Sequence, residues 1–228
     1  MAKNSYYGRV NIRKEAFNTL RTNIQFSSID RDLKVMAITS SHSAEGKTTI
    51  ALELGESFSN TGIKVLVINC DLRKPTMQEL FEQQVTVGLT NVLLKKCSVE
   101  DAIFEENGTY YLMSGPLPPN PTELLGSQTM KNLIERLEQE FDLILIDTPP
   151  TGLFSDAAIL SPVVDGYLLV CAENETRKDE MAHTIDSLER VDGNIIGVIM
   201  SMVESEGLTY GHYGKYGKYG KYGAYTKK

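Results

Sequence analysis

The sequence lacks the features of exported and membrane proteins. It contains no run approaching the ~20 apolar residues that a membrane-spanning helix needs. Its first ten residues, MAKNSYYGRV, include no apolar core of signal-peptide length. The only three cysteines in 228 residues, Cys70, Cys97 and Cys171, lie too far apart for a metal-binding pattern. We therefore expect a protein of the reducing cytosol that reaches a membrane only through a partner.

The C-terminal segment lacks acidic residues and proline. Residues 207–228 contain five lysines and no Asp or Glu, which leaves 18 of the 23 basic residues against all 30 acidic ones, a net charge of −12, in the rest of the chain. Tyrosine recurs there every third residue, at Tyr210, Tyr213, Tyr216, Tyr219, Tyr222 and Tyr225. Glycine follows five of them, but the absence of proline excludes a collagen triple helix. Residues 205–228 are therefore expected to form a flexible, disordered tail whose phenols stay accessible.

Short β-branched and apolar runs alternate with helical patterns along the remaining chain. Buried strands are predicted at 35–39, 64–69, 110–114, 142–147, 166–172 and 195–201, and helices at 47–60, 121–140 and 176–191. This order predicts an α/β fold, a predominantly parallel sheet with helices on both faces, in a domain spanning residues 31–204. The likeness to P-loop NTPases depends on the phosphate-loop pattern described below.

Two further segments connect to this domain. Phe17, Leu20 and Ile24 fall on one helical stripe, which predicts an N-terminal arm over residues 1–30 that docks on its own core or on a neighbour. The proline-rich segment 115–126 is expected to be an extended loop, with Thr122 as the cap of the following helix.

The segment ITSSHSAEGKTT (38–49) follows the first strand and opens a helix. It matches the end of the phosphate-loop pattern G-x-x-x-x-G-K-[ST], in which backbone N–H groups and the helix N-terminus bind phosphates, although Ser41 replaces the first glycine. Lys47 is expected to reach the β- and γ-phosphates of ATP, and the Thr48 hydroxyl to bind Mg²⁺. The predicted nucleotide-binding residues are Ser43, Ala44, Glu45, Gly46, Lys47, Thr48 and Thr49.

Two other strands end in polar residues. DLILIDTPP (142–150) delivers Asp147, and KVLVINCDLRKPT (64–76) carries Asn69, Asp71 and Arg73, which alternation places on one side of an extended chain. Ligands bind at the carboxyl edge of a parallel sheet, so Asp147 and Asp71 are expected to hold Mg²⁺ together with Thr48. An Asp71–Arg73 surface ion pair is the alternative. The predicted catalytic residues are Lys47, Asn69, Asp71, Arg73 and Asp147, with Asp71 orienting or deprotonating an incoming hydroxyl and Arg73 binding phosphate or holding Asp71.

These motifs, together with the tyrosine cluster, resemble bacterial protein tyrosine kinases of the capsular-polysaccharide type. The resemblance runs from EAFNTLRTNIQF (15–26) through SDAA (155–158) to the tail. It implies a cytosolic kinase that uses Mg-ATP to phosphorylate the tail of a neighbouring subunit in a ring, with Glu15 and Arg21 in the subunit contact. As partners it implies a membrane adaptor that recruits the kinase to the inner face of the membrane, a tyrosine phosphatase, and enzymes of sugar-polymer synthesis as substrates.

The sequence departs from that family's pattern at several positions. Asn69 occupies the first position of a usual Asp-x-Asp, and an amide cannot act as a base and is a weak metal ligand. Ser43 and Ala44 stand where proline and glycine are usual in the phosphate loop. Asn18 stands where the family usually has an arginine of the N-terminal helix. Ser201 stands where the family often has an asparagine that faces the adenine.

Other functions remain as alternatives. ATPases of the partitioning and septum-positioning group share the fold, but His42 fills the position of their extra phosphate-loop lysine. A regulatory module that binds nucleotide without transferring phosphate is another alternative. Nucleic acid is not expected as a partner, because the body that carries the basic, aromatic tail is strongly acidic.

Overall fold

The computed structural model describes residues 2–27, 33–81 and 86–203, with side chains of the first helix from residue 12 onward. The strands are β1 Val35–Ser40, β2 Val65–Asn69, β3 Ile103–Glu106, β4 Thr109–Leu112, β5 Leu143–Asp147, β6 Gly166–Ala172 and β7 Ile195–Ser201. The α-helices are α1 Ala2–Ser27, α2 Lys47–Ser59, α3 Leu89–Leu93, α4 Pro121–Leu125, α5 Gln128–Leu137, α6 Asp156–Ile159 and α7 Lys178–Glu189. Two 3₁₀ turns cover Met77–Leu80 and Ser161–Val163.

The strands form one sheet in the order β3-β4-β2-β5-β1-β6-β7. Every neighbouring pair is parallel except β3 and β4, which are antiparallel. The predicted α/β class is thus confirmed. Strand β5 lies between β1 and β2, with Ile38 and Asn69 both in register with Asp147, so the carboxyl ends of these three strands meet at one edge.

Apolar side chains cover both faces of the sheet. β1, β2 and β5 are buried along their whole length, as expected of central strands covered on both sides. On one face Ile38, Val67 and Leu145 pack in a cluster with Leu54 and Phe58 of α2. On the other face the cluster includes residues of α5, whose buried positions Met130, Leu133, Ile134 and Leu137 follow helical spacing.

Helix α1 docks on this chain's own core. Ile24 is 5% exposed, and the predicted partners of its stripe, Phe17 and Leu20, pack against the same cluster as α2. The Arg21 guanidinium donates to the Ser57 carbonyl at 2.6 Å and to the Ser57 hydroxyl at 3.1 Å. Of the two predicted uses of the apolar stripe, the described residues show the intramolecular one.

The structure differs from the sequence prediction between residues 88 and 137. Strand β3 and helix α3 were not predicted. The predicted helix 121–140 is divided into α4 and α5, and α5 is capped by the Ser127 hydroxyl, which accepts from the Met130 N–H at 3.2 Å. Thr122 is not a cap: α4 begins at Pro121, a favoured first helical residue, so Thr122 lies inside the helix and the extended loop ends at residue 120.

Two further sequence predictions concern membrane spans and the C-terminal tail. No helix within residues 2–27, 33–81 and 86–203 is both long and apolar enough to cross a membrane. The predicted tail with its six tyrosines lies outside the described residues, as does the boundary at residue 205.

Candidate active site

The loop between β1 and α2 has the curvature of a phosphate loop. Gly46, the residue before α2, has φ 88°, and Ala44 has φ 65°, a left-handed conformation that glycine adopts freely and alanine does not. No side chain caps the start of α2. Its first N–H groups and the positive end of its dipole are therefore open to an anion.

Glu45 braces this loop from within. It is only 3% exposed, and its Oε2 accepts from the His42 N–H at 2.7 Å while its Oε1 accepts from the Thr176 hydroxyl. The Ser201 hydroxyl donates to the Glu45 carbonyl at 2.7 Å. Glu45 was predicted as a nucleotide contact, but its side chain is engaged with the protein, so only its backbone could contact a ligand.

The loop is also joined to helix α7. The hydroxyls of Ser41 and Thr184 are 2.9 Å apart, and His42 Nε2 lies 3.0 Å from Glu180 Oε2. A cleft of about 350 Å³ adjoins the loop, with Ser43 on one side and Glu175 and Met202 among its other lining residues. The cleft and the loop are continuous, as a site for a nucleoside next to its phosphates requires.

Lys47 lies inside the loop with its cation on neutral partners. Its Nζ donates to the Ser40 hydroxyl at 2.8 Å and to the His42 carbonyl at 3.2 Å, and the residue is 7% exposed. Burial lowers the pKa of Lys47, and the nearby carboxylates, Asp147 first, oppose that shift. Ser40, which sequence reasoning did not single out, thus orients the predicted phosphate-binding lysine.

Asp147 and Thr48, the two residues predicted to hold Mg²⁺ together with Asp71, are in direct contact. The Thr48 hydroxyl donates to Asp147 Oδ2 at 2.7 Å, whereas Asp147 Oδ1 is buried without a hydrogen-bond partner. Burial raises the pKa of Asp147 to about 7, although the Thr48 hydrogen bond and Lys47 both favour the charged form.

These groups fit a magnesium ion. An unpaired carboxylate oxygen beside a threonine hydroxyl is a suitable hard ligand for Mg²⁺. Within the described ranges, no group of three or more His, Cys, Asp and Glu residues is arranged to hold a metal by itself. Magnesium commonly binds through one or two carboxylates together with substrate phosphates.

Asn69 lies beside Asp147, at the end of the neighbouring strand. It is 1% exposed, and its Oδ1 accepts from the Asp71 N–H at 3.0 Å. Its Nδ2 is buried and has no partner. One lone pair of the amide oxygen is thus engaged, and the unpaired group that the amide offers is a donor.

Beyond Asn69 burial continues to alternate, with Cys70 and Leu72 in the core and Asp71 and Arg73 partly exposed. Asp71 Oδ1 accepts from the N–H groups of Arg73 and Lys74, at 3.1 and 2.9 Å. The Arg73 guanidinium points elsewhere, to Asp156. The alternative of a surface ion pair between Asp71 and Arg73 is therefore wrong.

Arg73 joins three segments. Its Nε lies 3.0 Å from Oδ2 of the fully buried Asp156, and its Nη2 donates to the Thr122 hydroxyl at 2.7 Å. The guanidinium also lies over the Phe154 ring, 4.3 Å from its centre. The sequence singled out the SDAA segment, but no local signal identifies Asp156 as the partner of a residue 83 positions away.

The remaining predicted residues occupy varied positions. Ser43 is exposed on the loop, Thr49 is exposed in the first turn of α2, and Glu15 is exposed on α1. The Ser201 hydroxyl also donates to the Cys171 carbonyl at 3.2 Å, so the residue at the predicted adenine-facing position is engaged with the protein.

Comparison with known proteins was consistent across sequence and structure. A family profile described as an AAA domain matches residues 33–191. Tyrosine-protein kinase YwqD of Bacillus subtilis is 43% identical over 192 residues, covering 83% of this chain and 81% of the relative. Tyrosine-protein kinase CpsD of Streptococcus agalactiae is 38% identical over 201 residues, covering 87% of each chain.

Solved structures agree with these relatives. The kinase domain of Escherichia coli tyrosine kinase ETK superposes with a TM-score of 0.79 at 29% identity, covering 84% of this chain and 77% of that one. Apo McdA from Cyanothece, at 22% identity and a TM-score of 0.63 over 73% of this chain and 71% of that one, shows a shared fold alone. The chain belongs to the bacterial tyrosine-protein kinases.

Proposed function

We propose that this kinase transfers the γ-phosphoryl group of Mg-ATP to tyrosines in the C-terminal cluster of a neighbouring subunit, and that it thereby regulates capsular or exopolysaccharide synthesis and export. The observation that carries the ATP site is the buried Asp147 carboxylate, bonded to Thr48 beside Lys47, with one oxygen left unpaired. The acceptor assignment is supported by the tail, which presents a phenol every third residue.

Each residue near the phosphate loop has a distinct proposed role. Lys47 neutralises charge on the transferred group, and Thr48 and Asp147 hold Mg²⁺, which when bound neutralises phosphate charge. Asp71, whose Oδ1 is fixed by two N–H groups, orients or deprotonates the tyrosine hydroxyl and contributes to the metal site. Arg73 acts by fixing the Asp71 turn, since its guanidinium is held by Asp156.

The phosphate loop and the adjoining cleft form the proposed nucleotide site. Backbone N–H groups from Ser43 to Thr49 would bind the phosphates, and the cleft beside Met202 would take the nucleoside. This placement needs no contact from the Ser201 hydroxyl.

The proposed division of the chain has an arm, 1–30, a kinase domain, 31–204, and a tail, 205–228. Glu15 and Arg21 of the arm are proposed to contact the next subunit in a ring. Arg21 would contact the next subunit while its guanidinium remains bonded to Ser57 of α2, whereas the Glu15 side chain is exposed. A membrane adaptor is proposed to recruit this cytoplasmic protein to the inner face of the membrane, with a tyrosine phosphatase reversing the reaction and enzymes of sugar-polymer synthesis as further substrates.

The test is phosphorylation of the tail by purified protein with Mg-ATP, read by mass spectrometry, with and without the cytoplasmic segment of a candidate adaptor. The unchanged chain should gain phosphate on several tail tyrosines, and Lys47→Met should not. Lys178→Met, at an exposed position of α7, is the matched control and should behave as the unchanged chain.

Three results would contradict the proposal. A chain that binds ATP but never modifies its tail would be a regulatory module. Hydrolysis of ATP without tail phosphate would favour an ATPase of the partitioning type. Normal phosphorylation by Lys47→Met would refute the site assignment.

A further inference from the structure

Among the described residues of the predicted site, Asn69 is the one whose buried, unpaired side-chain atom is a nitrogen donor. We propose that the Asn69 side-chain N–H binds an oxygen of the terminal phosphate of ATP, so that this chain uses a neutral donor where an acid is usual. The inference rests on the proposed function, because it assigns a role within the same ATP site.

The sheet register places Asn69 on the correct face. Asn69 and Asp147 are partners on parallel strands, so their side chains lie on the same face of the sheet. Two residues earlier, Val67 and Leu145 are on that face too, and both lie within 4 Å of a Cβ built on Gly55 of α2. The face is thus the one covered by α2, the helix that begins with Lys47 and Thr48.

The hydrogen bond to Asp71 fixes which way the amide is turned. Only the amide oxygen can accept the Asp71 N–H, so Nδ2 must lie on the opposite side of the group. Nδ2 is buried and unpaired. A buried donor without an acceptor costs free energy, and native proteins rarely leave one so unless a ligand or water supplies the acceptor.

The acceptor is not the neighbouring carboxylate. Asp147 Oδ1 is buried and unpaired as well, so the two groups do not satisfy each other. An unpaired carboxylate oxygen requires a cation, and an unpaired amide N–H requires an oxygen with a free lone pair. The two unpaired atoms, on adjacent strands beside Lys47, correspond to the metal and the phosphate oxygen of one Mg-phosphate group.

An acid at this position would behave differently. A carboxylate at position 69 would repel both Asp147 and a phosphate oxygen. A protein with that carboxylate would depend on a divalent cation to bind a triphosphate. The amide attracts the phosphate whether or not a cation is present. This chain should therefore bind ATP with a weaker dependence on Mg²⁺ than a variant with aspartate at position 69.

Asn69→Asp tests the loss of the donor together with the added negative charge, since the new side chain keeps the shape and an oxygen for the Asp71 N–H. Calorimetry would measure binding of a non-hydrolysable ATP analogue and of ADP to each full-length protein, in EDTA and in Mg²⁺. In EDTA, Asn69→Asp should bind the triphosphate about tenfold or more weakly, a loss typical of a hydrogen bond to a charged group. Its affinity for ADP should change by about twofold or less, and Mg²⁺ should restore much of the triphosphate affinity.

Asn69→Leu, which removes the donor without adding charge, should show the same selective loss for the triphosphate, but a smaller one. Thermal unfolding would confirm that each variant is folded. If Asn69→Asp does not fold, the binding measurements on Asn69→Leu decide the test. Unchanged triphosphate affinity in EDTA would overturn the inference, as would an equal loss for ADP and the analogue. Binding is read without phosphoryl transfer, so an unphosphorylated tail would contradict the proposed function while leaving this result intact.

Discussion

Ala44 adopts the left-handed backbone conformation, with φ 65°, in the middle of the phosphate loop. The sequence did not predict the curvature of this loop, because Ser43 and Ala44 stand where proline and glycine are usual. The structure shows that the curvature is present and that alanine adopts it at a cost in strain. The strained conformation is maintained because the Glu45 side chain and the Ser201 hydroxyl hold the loop from both sides.

Replacing Ala44 with glycine should therefore stabilise the protein. We expect Ala44→Gly to raise the free energy of unfolding by up to about 1 kcal/mol, the difference between relieved strain and the greater freedom of glycine in the unfolded chain. Urea unfolding measures it. The control is Ala182→Gly at an exposed position of α7, which should cost about 1 kcal/mol. Destabilisation of similar size in both variants would contradict the expectation.

Asp147 should make stability depend on pH when metal and nucleotide are absent. Its pKa is about 7 in the folded chain, against 3.8 ordinarily, so the folded state keeps a proton that the unfolded state has lost. Stability from this group is therefore present at low pH and is lost as pH rises from about 4 to 7. An amide at this position would not titrate, which makes Asp147→Asn the reference protein.

Between pH 5 and 8, the free energy of unfolding of the unchanged chain should therefore fall by about 2 kcal/mol relative to that of Asp147→Asn. Thermal and urea unfolding in EDTA at the two pH values would measure the difference. A gap between the two proteins that stays constant with pH would show that Asp147 titrates normally. At pH 8, added Mg²⁺ should raise the free energy of unfolding of the unchanged chain relative to that of Asp147→Asn, because it favours the ionised carboxylate.

At the scale of elements, the sequence predicted best the long, continuous apolar strands. β6 and β7 were predicted with the bounds that the structure has, because long apolar runs between turn signals identify such strands. The prediction that β7 is buried was wrong, because it lies at the edge of the sheet and its residues are half-buried or exposed. β3 was missed because Ile103–Glu106 is short and half-exposed and pairs antiparallel at the edge. Periodicity alone did not reveal the break between α4 and α5, which depends on the cap at Ser127.

The candidate site shows the same limit. Lys47, Thr48 and Asp147 come together as predicted, since parallel strands deliver their last residues to one edge. The partner of Arg73 could not be predicted, because tertiary folding alone brings Asp156 to it. This pair links the turn after β2 to α6, and the Thr122 contact adds α4.

The link predicts non-additive substitutions. Arg73→Met should destabilise the protein by about 3 kcal/mol, because it leaves the fully buried Asp156 without its cation. The double variant Arg73→Met, Asp156→Asn should recover at least about half of that loss, since it removes the uncompensated charge. Unfolding of all four proteins of this cycle gives the coupling. Losses that simply add would show that the two residues act independently.

At the scale of the whole molecule, charge is divided between the body and the tail. The tail segment 207–228 carries five lysines and no acids, and the rest of the chain has a net charge of −12. Attraction between tail and body would therefore favour association between subunits. Each phosphotyrosine adds roughly −1.5 to −2 charges, so three or four of them reverse the sign of the tail.

Phosphorylation should consequently dissociate any oligomer. We expect sedimentation velocity to show a smaller species once three or more tail tyrosines are modified, and high salt to weaken the unmodified oligomer. A chain with all six tail tyrosines replaced by phenylalanine is the control and should keep its oligomeric state in Mg-ATP. Persistence of the same oligomer after multiple phosphorylation would contradict the prediction.

The brace at Glu45 has a further consequence for the rate of binding. Four long-range contacts, from Thr176, Thr184, Glu180 and Ser201, fix a loop that in isolation would sample many shapes. A nucleotide that meets a preformed cradle does not have to order it, so little affinity is lost to conformational entropy. Association should then be fast, and differences in affinity between nucleotides should appear as differences in residence time.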